Sequence, residues 1–432
     1  MEKGKRFRIA TLGCRTNQYE SQAYRSQLEA LGYVEAKEGE SADLCIVNTC
    51  TVTVGADKDS RQQIRRLVRE NPDAQVAVTG CAIERQPEFA KSIDERVVVV
   101  SNLEKESLIG RLLPDIESLP EFEIRRFEGH TRAFVKVQDG CNSYCTYCVI
   151  PYVRGRSRSR TVAEVVQEVE RLVESGYREI VLTGINIGDF DGGAVKARLA
   201  DLVRAVDEIK GLERLRLSSI DPDEVDEELT GAILGGKRTC PSMHIVLQAG
   251  SNLVLKRMNR KYTRQIFIDT CERLRSLVPD FTFTTDIIVG FPGEGERDFE
   301  ETLEVIAQVR FAKVHMFPYS DRPNTRASSY PMKISPERKR ERKERLLRAA
   351  ELGAYRLREQ FLGRQMSVLT EGRMREGWIT GHTANFLSVS IESNTLESNE
   401  LVDVELIENR PDGLIGRLVR KEGRCKLRLL SD

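Results

Sequence analysis

Six of the ten cysteines in this chain stand where thiols can do chemistry. Gly140-Cys141-Asn-Ser-Tyr-Cys145-Thr-Tyr-Cys148 has the spacing C-x3-C-x2-C. Three thiolates in one short loop can hold three irons of a cubane cluster and leave the fourth iron open for a cofactor or substrate. A structural zinc would need a fourth ligand at a matching spacing, and His130, upstream of the strand that precedes the loop, is poorly placed to be one. A second set reads Thr-Leu-Gly-Cys14, Val-Asn-Thr-Cys50 and Val-Thr-Gly-Cys81. Each of these cysteines directly follows a strand-like apolar run. The carboxyl ends of parallel strands share one edge of a sheet, so residues far apart in sequence meet there. These three thiols therefore form a second place for a cluster with an open iron, against the plainer reading of small apolar residues at strand ends. Cys45 lies inside a strand, and Cys240, Cys271 and Cys425 lack partners at metal spacing, which makes them ordinary thiols.

The elements that must position these thiols follow from periodicity. Strand-like runs at 6–12, 43–48, 75–79 and 96–100 alternate with helical patterns at 21–31, 59–70 and 87–93. Apolar strands alternating with helices indicate a parallel α/β sheet. Residues 104–128, acidic and carrying Pro114 and Pro120, read as a linker. A second series places strands at 132–138, 179–183, 213–218, 243–248, 282–288 and 313–317. Within it Thr161-Val-Ala-Glu164 is a capping box, followed by an apolar stripe of Val162, Val165, Val166, Val169, Leu172 and Val173. Six βα units are fewer than the eight of a full barrel, so the expectation is a partial one. A charged helix over 336–364 follows, with 11 Lys and Arg against 5 Asp and Glu from Lys333 to Arg364. Short strands at 366–370, 378–380, 387–391, 401–407 and 414–419 then suggest a small all-β barrel. The expected fold class is α/β, with an amino-terminal parallel domain over 1–115, a partial six-stranded barrel over 128–362 and a β-barrel over 363–432.

Composition narrows the setting. The chain has 432 residues, and its 67 Lys and Arg are balanced by 67 Asp and Glu, which argues against a uniformly basic coat for nucleic acid. No apolar run of ~18 residues appears, so no membrane span is expected. The amino terminus lacks the long apolar region of a signal peptide. A cytoplasmic, reducing setting follows, where clustered thiols are metal ligands or catalytic groups more often than disulfides.

The cysteine loop, with an aromatic before its last cysteine, resembles that of the radical S-adenosylmethionine (SAM) enzymes. The resemblance implies a 4Fe–4S cluster whose open iron chelates the amino and carboxylate groups of SAM. Reduction then cleaves SAM to methionine and a 5′-deoxyadenosyl radical that abstracts a hydrogen. Three cysteines ahead of such a triplet, with a small β-barrel at the end, resemble the methylthiotransferase family over essentially the whole chain. Thr-Leu-Gly-Cys14-Arg-Thr-Asn-Gln, Cys145-Thr-Tyr-Cys-Val-Ile-Pro-Tyr-Val-Arg-Gly-Arg-Ser-Arg-Ser-Arg and Thr183-Gly-Ile-Asn-Ile-Gly are similar to the branch that modifies N6-threonylcarbamoyladenosine beside the tRNA anticodon. Leu255-Lys-Arg-Met-Asn-Arg-Lys-Tyr and Asp286-Ile-Ile-Val-Gly-Phe-Pro-Gly-Glu agree with the wider family. Gly295 stands where a Thr is expected, and Asn324 where a Gly is expected.

What the resemblance implies for this chain is a methylthio transfer to C2 of the adenine. One cluster on Cys141, Cys145 and Cys148 would make the radical, and a second on Cys14, Cys50 and Cys81 would carry the sulfur. The implied partners are a tRNA anticodon stem-loop, a low-potential electron donor and a sulfur source. Thr183, Gly184 and Asn186 correspond to the contact with the SAM amino group. Ser218, Gln248 and Asp286, at strand ends, are placed to bind ribose or adenine, and Tyr147 to stack on or hydrogen-bond to the adenine. The four histidines show no paired spacing and receive no catalytic role. Arg154, Arg156, Arg158 and Arg160 alternate, and on an extended segment would form a phosphate rail. The last domain resembles the TRAM module, which implies RNA contact through Arg373 and Arg375. Other acceptors remain open: an isopentenyl-adenosine tRNA or an aspartate of a ribosomal protein. A third reading is an RNA-binding protein whose clusters are structural.

Overall fold

The computed structural model describes residues 5–126, 131–375 and 377–419. The first domain is built on β1 (Arg6–Thr11), β2 (Val34–Glu35), β3 (Leu44–Thr49), β4 (Gln75–Gly80) and β5 (Val97–Val99). All pair in parallel, in the order β2-β1-β3-β4-β5. Every residue of the central β3 is buried, and its side chains alternate between two cores. Leu44 and Ile46 pack with Tyr24 and Leu28 of helix α1 (Arg15–Ala30). Cys45 and Val47 pack with Ile64 and Leu67 of helix α2 (Val54–Glu70). A sheet covered by helices on both faces is why its strands read as continuous apolar runs.

Both helices start earlier than the apolar pattern suggests. α2 begins at Val54 because Thr53 Oγ1 accepts from the Ala56 N–H at 3.1 Å and caps it. α1 takes in the polar run from Arg15 to Glu20, whose Asn17 and Glu20 are buried against the second domain. The supposed linker is also packed structure. Leu108, Ile109 and Leu112 join the core of the first sheet, and Ile124 joins the core of the barrel.

The barrel strands are β6 (Arg132–Lys136), β9 (Glu179–Thr183), β10 (Arg214–Leu217), β11 (Ser242–His244), β12 (Thr282–Val289) and β13 (Lys313–Pro318). A short antiparallel pair, β7 (Gln138–Asp139) and β8 (Arg158–Ser159), flanks the cysteine loop. Parallel sheets β6-β9-β10 and β11-β12-β13 are joined by bridges at Leu215–Thr239 and Ile220–Ile245. The result is an arc of six parallel strands, open between β6 and β13. The first domain spans that opening. On one side Tyr19 Oη donates to Glu168 Oε1 at 3.0 Å, on the helix Val162–Glu174 that follows β8. On the other side Arg322, just beyond β13, holds Asp57 at 2.8 Å and Thr51 Oγ1 at 2.5 Å.

The charged helix runs Pro336–Glu359, ending before the expected residue 364. It leads into β14 (Gln365–Arg375), β15 (Trp378–Thr383), β16 (Ser388–Glu392), β17 (Leu401–Arg410) and β18 (Gly413–Leu418). These close into a barrel in the order β14-β15-β16-β18-β17, a TRAM-like fold with Val368, Ile379, Val389, Ile391 and Val404 inside. Among the described residues no helix is long and apolar enough to cross a membrane.

The small barrel docks where β10 and β12 begin. Buried Arg216 donates to Glu179 at 2.7 Å, and to the carbonyls of Thr383 at 2.9 Å and Ala384 at 2.8 Å. Arg214 donates to the carbonyls of His382 at 2.8 Å and Ser367 at 2.7 Å. Removing one partner of a buried ion pair leaves the other charge uncompensated. Replacing Arg216 with Met is therefore expected to lower the unfolding free energy by about 3–5 kcal/mol, measured by urea denaturation. Hydrogen exchange should rise first at the end of β15, where the carbonyls of Thr383 and the following Ala384 lose their donor.

Candidate active site

The three strand-end cysteines of the first domain come together. Cys14 stands at the amino cap of α1, Cys50 follows β3, and Cys81 follows β4. Two glycines make the approach possible. Gly13 has φ +94°, and a Cβ there would stand 2.7 Å from Cys50 Sγ. Gly80 has φ +97°, and a Cβ there would stand 2.5 Å from the Thr49 carbonyl oxygen. Any larger residue would push apart the loops that carry the thiols. Cys14 is exposed, while Cys50 and Cys81 are buried. Burial pushes the Cys50 thiol up to about 11, with Cys81 and Cys14 adding to the shift.

The second triplet lies on the loop between β7 and β8. Each thiol receives a hydrogen-bond donor. The Ser143 N–H faces Cys141 Sγ at 3.4 Å, the Ile150 N–H faces Cys148 Sγ at 3.5 Å, and Arg260 Nη1 faces Cys145 Sγ at 3.1 Å. Burial pushes Cys148 up to about 12. Arg260 is itself fixed by Asp221 and by Tyr262 Oη at 3.0 Å. Sequence reasoning placed Arg260 in a family motif without giving it this role.

Arg154 joins the two sites. Six residues after Cys148, its side chain turns inward and is only 1% exposed. Its Nε donates to Cys81 Sγ at 3.3 Å, and its Nη1 donates to Glu20 at 3.0 Å and Asp139 at 2.8 Å. Lys105 Nζ reaches the same two carboxylates. Burial pushes the Glu20 carboxyl up, but Arg154, Lys105 and Lys136 outweigh it and hold it at about 2. Asp139 is likewise held well below the usual carboxylate range, by Arg154 and Lys105 against the cost of burial.

The expected phosphate rail is corrected accordingly. The segment turns at helix Ile150–Val153 and at Gly155 instead of running extended, so the four arginines do not share a face. Arg154 is buried, and Arg160 is tied to Glu168 and to Tyr19 Oη. Arg156 and Arg158 are exposed, although Arg158 also meets Asp139 at 2.9 Å. Arg373 and Arg375 lie on β14 opposite Ile379 and Trp378, and their side chains fall outside the described residues. Cys425 and His130 also lie outside them.

Thr183, Ser218 and Gln248 stand at or just beyond the carboxyl ends of their strands, as barrel chemistry requires, whereas Asp286, expected at a strand end, lies inside β12. Thr183 ends β9, and Gln138 Oε1 accepts from the N–H groups of Ile185 and Asn186, both at 3.0 Å. The Gln138 amide also donates to the Gly140 carbonyl at 2.8 Å, so one side chain locks this turn to the cysteine loop. Gly184 leaves room for it, because a Cβ would stand 2.8 Å from Oε1. Asn186 Nδ2 donates to Glu224 at 3.0 Å. Burial, with Asp221 adding, pushes the Glu224 carboxyl up to about 7. Ser218 Oγ and Gln248 Oε1 are buried without a protein partner. Gln248 also holds a left-handed backbone, φ 62°, a strained conformation that marks functional positions. Asp286 is half-buried beside His244 and His315, and Tyr147 meets Phe291 edge-on. At Asn324, φ 68° suits Asn nearly as well as the expected Gly. Gly295 still starts its helix, because Asp298 accepts its N–H at 2.8 Å.

These donor sets fit iron–sulfur clusters better than single ions. Among the described residues no three His, Cys, Asp or Glu side chains converge as ligands of one metal ion. A cubane is gripped at separate irons, so its thiolates stand farther apart than the ligands of a single ion. The N–H donors aimed at the sulfurs of the loop triplet and of Cys81 suit a cluster that carries negative charge, and binding of a cluster displaces thiol protons.

Comparison with known proteins decides the family. The description "Radical SAM superfamily" matches residues 135–306, and "Uncharacterized protein family UPF0004" matches residues 6–101. The chain is 48% identical over 415 residues, 96% of its length and 98% of the relative's, to a threonylcarbamoyladenosine tRNA methylthiotransferase MtaB of Chlamydia pneumoniae. It belongs to the MtaB-type methylthiotransferase family. The Thermotoga maritima MtaB is 37% identical over 90% of this chain and 92% of that one. A tRNA-2-methylthio-N(6)-dimethylallyladenosine synthase of Finegoldia magna is 34% identical over 96% and 94%. In fold, the chain resembles the radical SAM methyltransferase TsrM of Kitasatospora setae, with TM-score 0.50, 15% identity and coverage of 75% and 74%. This methylthiotransferase is thus a radical SAM enzyme, with SAM and 4Fe–4S clusters as its cofactors.

The Arg154 network sets a test. Arg154→Met removes a buried cation from two buried carboxylates and is expected to cost about 3–5 kcal/mol of stability, while Arg154→Lys recovers part of it. Glu20 is depressed from an ordinary 4.5 to about 2. Its stabilising contribution is therefore present above 4.5 and is lost as pH falls through about 2. Urea denaturation of wild type between pH 5 and pH 2 should show that loss, and Arg154→Met should flatten it.

Proposed function

We propose that this enzyme methylthiolates C2 of N6-threonylcarbamoyladenosine beside the anticodon of tRNA. In this reading a cluster on Cys141, Cys145 and Cys148 serves radical generation, and one on Cys14, Cys50 and Cys81 serves sulfur transfer. The observation that carries it is the adjacency of the two triplets across one buried interface, where Arg154 of the barrel bonds Cys81 of the first domain. Full-length similarity to enzymes named for threonylcarbamoyladenosine supports the choice of base. A cytoplasmic location, a low-potential electron donor and a sulfur source complete the reading.

When bound, SAM and the two clusters supply a hydrogen-abstracting radical and a transferable sulfur. The protein's own part is positional. Arg260 and the N–H groups of Ser143 and Ile150 stabilise charge on the sulfurs of the barrel loop. Gln138 fixes the turn of Thr183, Gly184 and Asn186 for the SAM amino group, and Ser218, Gln248 and Asp286 offer polar atoms for its nucleoside. The first domain closes the open side of the barrel and limits water there. Arg156 and Arg158 beside the loop, with Arg373 and Arg375 on the small barrel, serve as phosphate contacts. Lys58, Arg61, Arg65, Arg66 and Arg69 of α2 line a groove of about 610 Å³ and extend that basic path. A base in the anticodon loop leaves its stack at low cost, which lets it enter the barrel.

A dimethylallyl- or isopentenyl-adenosine tRNA is the second reading, favoured by the similarity to the Finegoldia magna synthase. Mass spectrometry of tRNA nucleosides from cells lacking this protein separates the two. Loss of 2-methylthio-N6-threonylcarbamoyladenosine alone is expected. Loss of the dimethylallyl species instead selects the second reading, and unchanged nucleosides overturn both.

The cluster assignment predicts iron counts. Replacing Cys141, Cys145 and Cys148 together with Ala should leave about four irons per chain after anaerobic reconstitution, against about eight for wild type. Cys50→Ala should keep SAM cleavage and lose methylthiolated product. Multiple turnover by Cys50→Ala would return the strand-end cysteines to packing residues.

A further inference from the structure

The barrel lumen holds a pocket of about 90 Å³ lined by Arg15, Phe134, Arg216, His244, Thr284 and Phe386, among others. Three arginines face it, and two of them are neutralised. Arg216 is paired with Glu179 at 2.7 Å, and Arg132 with Glu371 at 3.1 Å. Arg15 is different. Among the described residues it makes no hydrogen bond and no ion pair, and its guanidinium lies 5.3 Å from the centre of the Phe134 ring. The residue is exposed, so water rather than a carboxylate meets its charge. A second group in the same pocket lacks one of its hydrogen bonds. His244 Nδ1 meets Thr284 Oγ1 at 2.9 Å, while its buried Nε2 has no hydrogen bond and stands 3.4 Å from Asp286 without the alignment for one.

Filling the pocket with an apolar ligand would strip water from a cation that no described carboxylate pairs and from an imidazole nitrogen without a hydrogen bond, which is costly. It is favourable when the ligand brings a carboxylate, which guanidinium can bind through two parallel hydrogen bonds. The two candidate bases differ in just this respect. The threonylcarbamoyl group ends in a carboxylate and carries a hydroxyl, whereas a dimethylallyl group is wholly apolar. We propose that Arg15 is the specificity-determining residue of this site, pairing with the substrate's threonylcarbamoyl carboxylate while His244 Nε2 meets a polar atom of the same group. The inference rests on the reading of the substrate given above. Arg15 directly follows Cys14, so the turn that presents a ligand of the sulfur-transfer site also presents the anchor for the base. A site built to pair with a charge rejects the apolar analogue strongly, because its own group is left unpaired.

The test uses full-length, anaerobically reconstituted protein without reductant. It compares binding of anticodon stem-loops of one sequence carrying threonylcarbamoyladenosine, its carboxylate methyl ester, or plain adenosine. Wild type should bind the acid about ten- to a hundred-fold tighter than the ester. Arg15→Gln should bring that ratio close to one, and Arg15→Lys should keep part of it. The ratio is taken within one protein, so a reduced active fraction cancels. Arg15→Glu should reverse the preference, towards an analogue with a primary ammonium in place of the carboxylate. A wild-type ratio preserved in Arg15→Gln, or no reversal in Arg15→Glu, overturns the role of Arg15. Wild type that binds acid and ester equally, yet both better than plain adenosine, overturns the Arg15 inference alone. Wild type that does not distinguish the acid from plain adenosine overturns the reading of the substrate itself.

Discussion

The buried charge network around Arg154 is the interaction on which the rest of the molecule depends. Its members come from four separate stretches: Asn17 and Glu20 on α1, Lys105 beyond the first sheet, Lys136 and Asp139 at the start of the barrel, and Arg154 after the cysteine loop. None of these charges is stable alone in so little water. Arg154–Asp139 and Lys105–Glu20 pair within their own domains, while Arg154–Glu20 and Lys105–Asp139 cross between them, so the network is complete only when the two domains are seated together. Two packed domains normally retain some freedom to rock. Here the charges fix one seating, and the bond from Arg154 to Cys81 Sγ means that this seating also sets the distance between the cysteine triplets. The proposed reaction, in which a radical made in one domain meets sulfur held in the other, would need that fixed distance.

The open arc of the barrel gives the second constraint. Six strands do not close a cylinder, and the gap between β6 and β13 would expose both the lumen and an unpaired strand edge. The first domain covers the gap by pairing Tyr19 with Glu168 on one side and Asp57 with Arg322 on the other. The small β-barrel covers the opposite end of the lumen, held by Arg214 and Arg216. The lumen thus lies between three domains, with Arg15 of the first and Phe386 of the small barrel lining its pocket beside the barrel's own residues. That is why Arg15, the arginine of this pocket without an ion pair among the described residues, belongs to the first domain, while most of the pocket around it belongs to the barrel.

Much of this was legible in the chain. Alternating apolar runs and helical stripes predict the parallel sheet, the six-stranded arc and the closing β-barrel, because burial on one or two faces imposes a period on the residues. The strand Glu179–Thr183 and the capped helix after Thr161 are read to the residue, since both carry strong local signals. The Gly-Cys and Thr-Cys strand ends announce one thiol set, because a parallel sheet brings its carboxyl ends to one edge, and the C-x3-C-x2-C spacing announces the other. The start of α1 was not legible: its first turns are polar, and they are buried only because another domain meets them.

The sequence by itself determined the element types, their order and which thiols could act together, since these follow from local propensity, periodicity and spacing. Only the tertiary structure decided what the charged residues do. Arg154, Arg156, Arg158 and Arg160 look equivalent in the chain, yet one links the two cysteine sites, one braces Glu168 and two face solvent. Arg15, Arg132 and Arg216 likewise differ only in whether a carboxylate from elsewhere reaches them. A charge has no period and no preferred element. Its role is set by the partners that folding brings within a few ångströms, and those partners lie far away along the chain.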